Sequence, residues 1–542
     1  MKKFERRNPS SKKDYFMITV GITFIGMLIF RLLLGRIIGD KGMACFGTAG
    51  EIYLVLGGTA AYGLSEAVSA LVKYRIRREQ YRNAQKVFKG ALLLGGLIGA
   101  VLSILVFLSA QAVTGVLLNI PLAQLSVRMM APSIFFFVMT GVFKGYFQGN
   151  GSRVPAMHSR ILQMIFLFTG GLIGAKISSD YGVKVSALLQ NDDYTNVYGA
   201  MGACVGILSA SVICFLHALI LFFIFRRSIQ NQITKEFPKN QDSGPHILHM
   251  LLGTGAIYAL FWLTFHGWVW LDEVLLLRFG NNTDELMVQW GAYYGKTLPI
   301  IGIIGSVICM ICIPSIRRIM VLWEREEHRS AKERLGLLMH QCAVIVIPSA
   351  VFLAVLSENL LNTIFGGNNH QAVLLTQAGS IFLIFYVFST LFMEMLQKQR
   401  QLSYVVGIGA GAFVLQAGIV LLLVNSKLGV MSLIIGSIVF YLVTTVCGFL
   451  IISRRFQYNQ EWIRTFAVTI VAAAVSGVIA MLLNKVFEPL TGALISMIIC
   501  LVAAILSYLL LLVAARAFRS DEMDDMAGGR LLKKLSELLH IM

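Results

Sequence analysis

Phe136-Phe137-Val138-Met139-Thr140-Gly141-Val142-Phe143, running on to Gln148, returns in altered form as Phe385-Tyr386-Val387-Phe388-Ser389-Thr390-Leu391-Phe392, running on to Gln397. Each residue lies 249 positions beyond its counterpart, as Phe143 with Phe392 and Gln148 with Gln397 show. Both stretches sit in apolar runs of membrane-spanning length. Counting such runs along the chain makes the first the fourth span and the second the tenth. That offset is what two successive six-helix bundles produce. Six is even, so both bundles enter the membrane in the same direction, and the repeat axis runs along the membrane normal.

The composition requires a bilayer. Apolar residues make up 57% of the 542 positions and charged residues 14%, with a mean hydropathy of +0.74. Soluble chains hold about 25% charged residues. A spanning helix needs roughly 20 mostly apolar residues. Runs of that kind fall near 15–36, 43–72, 88–110, 124–147, 154–178, 200–225, 247–279, 285–315, 335–356, 372–396, 402–425, 429–452, 463–483 and 490–515. The expected fold is therefore all-α and polytopic, with about 14 transmembrane helices. Residues 1–13 are expected as a cytoplasmic tail, 14–226 as one six-helix bundle, 227–246 as a linker and 247–455 as the second bundle. A helix pair over 456–516 and a cytoplasmic tail over 517–542 complete the chain. In that tail Leu531, Leu532, Leu535, Leu538 and Leu539 share one helical face, as in a helix lying on the membrane surface. The basic N-terminal stretch and its over-long apolar run do not read as a cleavable signal peptide.

The formal charge of +18 is a topology signal and not a nucleic-acid footprint. Lys73, Arg75, Arg77, Arg78, Arg82, Lys86 and Lys89 follow the second span. Arg226 and Arg227 follow the sixth, Arg317, Arg318, Arg325, Arg329 and Arg334 the eighth, and Arg454 and Arg455 the twelfth. Loops after odd-numbered spans hold little beyond Lys41, Lys184, Lys427 and Lys485. This asymmetry places both termini in the cytoplasm and the basic loops against anionic lipid.

Charges inside spans are costly and by default functional. Arg31 and Arg36 lie in the first span, Glu51 and Glu66 in the second, and Arg128 starts the fourth. Asp272, Glu273 and Arg278 end the seventh, Lys296 lies deep in the eighth, and Glu394 lies toward the inner end of the tenth. Snorkelling to the interface is the plain alternative for Arg36, Arg128, Asp272 and Arg278. Cys309 and Cys312 form a CxxC within a span with no second pair, which reads as buried packing and not as a metal site. No hydrolytic constellation and no Walker-type GxxxxGK[ST] is present, so an enzyme or a chain that binds ATP is not expected.

Four motifs together resemble one family. Phe143-Lys144-Gly145-Tyr146-Phe147-Gln148-Gly149, with Pro155-Ala156 and Gln163, resembles the RGFFQG stretch and following P(T/S)A and Q of the MurJ/SpoVB group. Arg36-Ile37-Ile38-Gly39 with Gly42 is similar to the end of that family's first span. Gly63-Leu64-Ser65-Glu66-Ala67-Val68-Ser69 looks like its GFPxAVS motif, and Ile313-Pro314-Ser315-Ile316 like its LPxIS. These are lipid-linked polysaccharide exporters of the multidrug/oligosaccharidyl-lipid/polysaccharide (MOP) superfamily. The chain departs from the family where an early first-span arginine is replaced by Thr23-Phe24-Ile25-Gly26.

The resemblance implies a bacterial plasma-membrane flippase. It would carry an undecaprenyl-diphosphate-linked peptidoglycan or polysaccharide precursor, lipid II or a related glycan, to the outer leaflet. Arg31, Arg36, Arg128, Arg278 and Lys296 are then candidates for the diphosphate, by charge-assisted hydrogen bonds. Glu51, Glu66, Asp272 and Glu394 are candidates for gating or coupling. No cofactor is expected, and the driving force stays open between a Na+ or H+ gradient and the membrane potential. Partners would be the lipid-linked oligosaccharide, anionic lipids and cell-wall synthesis enzymes. Two other readings remain, a cation-coupled drug exporter of the same superfamily and a non-transporting scaffold for cell-wall or spore enzymes.

The orientation is checked by reporter fusion. Alkaline phosphatase joined after Gln190, in the loop following the fifth span, is expected to be active, and joined after Thr234 inactive; the reverse pattern would invert the topology.

Overall fold

The computed structural model describes residues 9–234, 242–281, 283–366, 369–426, 428–515 and 517. The start of the N-terminal tail, the middle of the 227–246 linker and the surface helix expected near the C-terminus lie outside them. The described residues form helices and no strand, as a bilayer demands of a chain that must satisfy its backbone internally. They pack into two units, one of residues up to Gly295 with Val420–Val430, the other of Lys296–Ile419 with Met431–Met542.

The first unit holds α1 (Pro9–Ile52), α2 (Gly58–Arg77), α3 (Tyr81–Gln111), α4 (Gln124–Gly149), α5 (Val154–Leu189) and α6 (Asp193–Thr234), then α7 (Gly244–His266), α8 (Trp268–Phe279) and α9 (Thr283–Ala292). The second holds α10 (Leu298–Glu324), α11 (His328–Phe365), α12 (His370–Lys398), α13 (Leu402–Leu423) as far as Ile419, α14 (Met431–Phe456), α15 (Val468–Thr491) and α16 (Ala493–Ala514). Thirteen stretches among the described residues are long and apolar enough to cross a membrane. The first of these, Ile25–Arg77, is 53 residues long. At 1.5 Å per residue that is about 80 Å, against about 30 Å of hydrocarbon. It is broken at Gly39, whose φ of 64° and ψ of −178° are non-helical and open to glycine at little cost. It therefore carries the first two spans of the sequence, and the expected number holds. The seventh span, expected as one tilted helix over 247–279, is instead two, α7 and α8, parted at Gly267.

The sequence repeat reappears in the packing inside each unit. The fourth span, α4, packs on α2, α3 and α6; the tenth, α12, packs on α10, α11 and α14. These are the second, third and sixth spans and their counterparts six spans on. Phe137 of α4 lies against Gly57, where a Cβ would come within 3.1 Å of the ring. Its counterpart Tyr386 lies against Gly305 in the same way. One difference stands out along the helix. Gly141, Gly145 and Gly149 bring α4 onto the α2 backbone, a Cβ at Gly141 falling 2.6 Å from the Ala61 carbonyl oxygen and one at Gly145 running into that of Ser65. The corresponding residues of α12 are Thr390, Glu394 and Lys398.

The last two helices pack on each other and on α11. Asn359 and Asn484 exchange amide hydrogen bonds (2.8 and 3.1 Å), Ser496 donates to Asn484 Oδ1 (2.8 Å), and Tyr508 donates to the Val344 carbonyl (2.8 Å). Such bonds are worth about 0.6 kcal/mol each in a membrane protein, so together they fix orientation more than they add stability.

Glycine at 145 is a steric requirement. Gly145→Ala is expected to cost ~1–3 kcal/mol by forcing α2 and α4 apart, read as a lower melting temperature in detergent. Gly253→Ala, where nothing lies within 4 Å of the added methyl, serves as the control and should not lower it.

Candidate functional site

Arg31 and Glu51 would lie about 30 Å apart on a straight helix. The break at Gly39 folds α1 back so that both reach one residue, Tyr294, in the wide turn Tyr293–Thr297 that follows α9. The fold-back is held where Lys41 pairs with both carboxylate oxygens of Asp193 at the start of α6 (2.7 and 2.9 Å). Glycine makes the seat. A Cβ on Gly47 would stand 2.8 Å from the Tyr294 ring, and one on Gly50 3.0 Å from its hydroxyl. From the other side, Gly291 abuts the Asp40 carbonyl and Gly295 the Met43 side chain. Small residues at such spacing let two helices approach to backbone contact.

On that seat the charges are joined through the tyrosine. Arg31 Nη1 donates to the Tyr294 carbonyl (2.6 Å), and its guanidinium carbon lies 4.4 Å from the ring centroid, a cation–π geometry. The Tyr294 hydroxyl and the Arg31 guanidinium both act on the Glu51 carboxylate. Glu51 is 5% exposed, and Asp272 and Glu273 of α8 are fully buried. Thr48 Oγ1 donates to Glu273 Oε1 in a short hydrogen bond, with the Ala44 carbonyl 3.1 Å away on its other side. The Trp290 indole lies beside the same carboxylate, and Glu51 and Glu273 act electrostatically on each other. Thr48 can serve either form of Glu273. It donates to the carboxylate, or it accepts from the acid and turns its own proton to Ala44.

Of the residues expected from the sequence, Arg31 and Glu51 are therefore brought together, with Glu273 beside them and Asp272 buried next to it in the chain. The other cations are placed differently. Arg36 and Arg278 are exposed, and Arg278 donates to the Val116 carbonyl (2.9 Å). Arg128 is half-buried; it stands 5.8 Å over the Phe107 ring and meets the Gln124 amide oxygen, suitably turned, at 2.8 Å. Lys296 is half-buried at the start of the second unit. Glu66 is half-buried on α2, with Arg153 acting on it, and Glu394 pairs with Lys398 one turn on. The buried group in the first unit thus has more acid than base, Glu51, Asp272 and Glu273 against Arg31. Thr48, Trp290 and Tyr294 were not singled out in the sequence. The signal that points to them is paired glycine spacing, Gly47 with Gly50 and Gly291 with Gly295.

Thr48 is the test of this arrangement. Thr48→Val leaves the buried Glu273 without its donor and is expected to cost about 1–3 kcal/mol of stability, whereas Thr48→Ser keeps the hydroxyl and should melt near the wild type. Equal melting of all three would remove the bond from the account.

Comparison with known proteins places this geometry. The family described as MatE matches residues 16–171. Stage V sporulation protein B of Bacillus subtilis (strain 168) is 20% identical over 522 residues, 94% of each chain. The structure is similar to that of the lipid II flippase MurJ in an inward closed conformation, with a TM-score of 0.62 and 14% identity over 92% of this chain and 97% of that one. It is equally similar, at 0.62 and 16% identity, to an inward-facing multidrug resistance MATE family transporter of the MOP superfamily, over 81% of this chain and 98% of that one. The chain therefore carries the fold of the MOP superfamily transporters, as its motifs imply.

Proposed function

We propose that the protein is a flippase for a lipid-linked glycan precursor, carrying an undecaprenyl-diphosphate-linked peptidoglycan or polysaccharide intermediate, lipid II or a relative, from the inner to the outer leaflet of a bacterial plasma membrane. The observation that carries the reading is the buried network of Arg31, Tyr294, Glu51, Thr48 and Glu273. Ionisable groups held in the membrane interior mark a transport pathway or its coupling machinery, which speaks against a passive scaffold. The greater share of the chain covered by the structure of the lipid II flippase MurJ supports a lipid-linked substrate. The extra share is about what two further transmembrane helices contribute.

In this reading the headgroup diphosphate, a compact polyanion, is drawn to the basic side chains of the first unit, Arg31 in the buried network and Arg36, Arg128 and Arg278 nearer the surface, as the transporter alternates between inward and outward access. Glu51 and Glu273 are two buried acids that act on each other, with Arg31 acting on the first, an arrangement suited to an exchangeable proton or cation. They act as the coupling pair, with Asp272, Glu66 and Glu394 as gate residues. Both termini face the cytoplasm, and anionic lipids and cell-wall enzymes are the natural partners. The acid balance of the buried group also favours a second reading, a cation-coupled exporter of cationic drugs, because a MATE transporter shares the fold equally well.

Reconstituted protein separates the two. In proteoliposomes the wild type is expected to move lipid II or another polyprenyl-diphosphate glycan between leaflets, and Arg31→Lys and Glu51→Gln to slow it at least about ten-fold, the cost of one lost charged hydrogen bond. No lipid movement together with gradient-driven uptake of a cationic dye would establish the exporter instead.

A further inference from the structure

A second group of charges in the first unit lies outside the network described above. Lys144 of α4, His158 and Arg160 of α5, and His217 of α6 meet where these three helices pack. The scaffold under them is well defined. Cys214 Sγ donates to the Ser159 carbonyl (3.2 Å), the Ser159 hydroxyl lies 3.4 Å from His217 Nδ1, and the His158 and His217 rings stand edge to face at 6.2 Å. The groups acting on Lys144 are the Cys214 thiol and the Arg160 guanidinium. Those acting on His217 are His158 and Lys144.

Some cations of this unit pair with an acid: Lys41 with Asp193, and Arg75 with Asp242 (2.6 Å). The charged neighbour of Lys144 is instead another cation. Lys144 is five residues from the end of α4 and Arg160 six from the start of α5, so both lie about 8–9 Å inside the helix ends. Charge there is expensive, and more so with a second cation acting on it, unless an anion is present. Simple snorkelling accounts for Arg160, which is exposed, but not for Lys144, which is half-buried against α6.

We propose that Lys144, Arg160 and His217 form a binding site for the phosphate headgroup of a lipid in the leaflet on the α4–α5 turn side, the inner leaflet by the charge asymmetry of the loops. Arg160 meets the phosphate from the open face and Lys144 closes over it from within. The Ser159 hydroxyl, by engaging His217 Nδ1, leaves Nε2 to donate to the phosphate. A phosphate accepts several charge-assisted hydrogen bonds at once, so one headgroup answers all three side chains. The site does not depend on the transport reading: a structural phospholipid and a polyprenyl phosphate present the same group.

The test uses the full-length protein in nanodiscs of phosphatidylcholine, alone or with phosphatidylglycerol or undecaprenyl phosphate added. Retained lipid is read by native mass spectrometry and stability by thermal melting. The wild type is expected to retain one of the two phosphate lipids and to melt higher with it; the one retained identifies the source. Lys144→Gln with Arg160→Gln should weaken retention about ten-fold or more and abolish the melting increment, while Lys144→Arg keeps both. Arg160→Gln alone, at an exposed position that the fold tolerates, should also weaken retention several-fold if the double variant does not fold. Equal retention by wild type and Arg160→Gln would overturn the site. So would stabilisation by inorganic pyrophosphate with none from either lipid.

Discussion

Tyr294 resting on Gly47 and Gly50 is the contact on which the first unit turns. A side chain larger than hydrogen at either glycine would lift the ring, and with it both the carbonyl that receives Arg31 and the hydroxyl that acts on Glu51. In the interior of a membrane protein a guanidinium and a carboxylate are tolerable only as long as each has its partner. The folding of α1 back on itself at Gly39, the approach of α9 through Gly291 and Gly295, and the burial of Glu273 beneath Thr48 all serve the same end. They bring opposite charges and the dipoles that bridge them to one place without water.

The two kinds of charge in this unit differ in what they ask of their surroundings. Arg31, Lys41 and Arg75 are answered within the chain, by Glu51, Asp193 and Asp242. Lys144, by contrast, has a second cation, Arg160, acting on it, and the lipid phosphate proposed for that place would answer both. Internally matched charge can survive a change of conformation, and unmatched charge can recruit the headgroup.

Much of the architecture was legible in the sequence because the bilayer enforces it. Run length gives the spans, and the 249-residue echo of Phe136–Phe143 finds α4 and α12 in equivalent packing. The limits of that legibility are specific. The seventh span reads as continuous because Gly267 sits among aromatic residues with no polar break, yet the helix parts there. Arg31 and Glu51 were visible as buried charges, but their meeting depends on a reversal at one glycine, and many membrane helices hold glycine without turning. Tyr294, Thr48 and Trp290 are ordinary residues of apolar runs. Only the three-dimensional path that sets them beside charge gives them a role. The arginines that are candidates for the diphosphate were read from their positions along helices, which fix depth but not the face on which a side chain emerges.

The repeat also records a divergence. Where α4 lies on α2 through bare backbone at Gly141, Gly145 and Gly149, the equivalent surface of α12 carries Thr390, Glu394 and Lys398. A seam of glycine and carbonyl has no side chains to rearrange and resists shear, whereas Thr390 bonds to the Tyr386 carbonyl and Lys398 to Glu394 along α12 itself, with no such backbone interlock at these positions. Two bundles descended from one pattern thus differ in mechanical compliance: the first is suited to hold a fixed geometry, the second to yield.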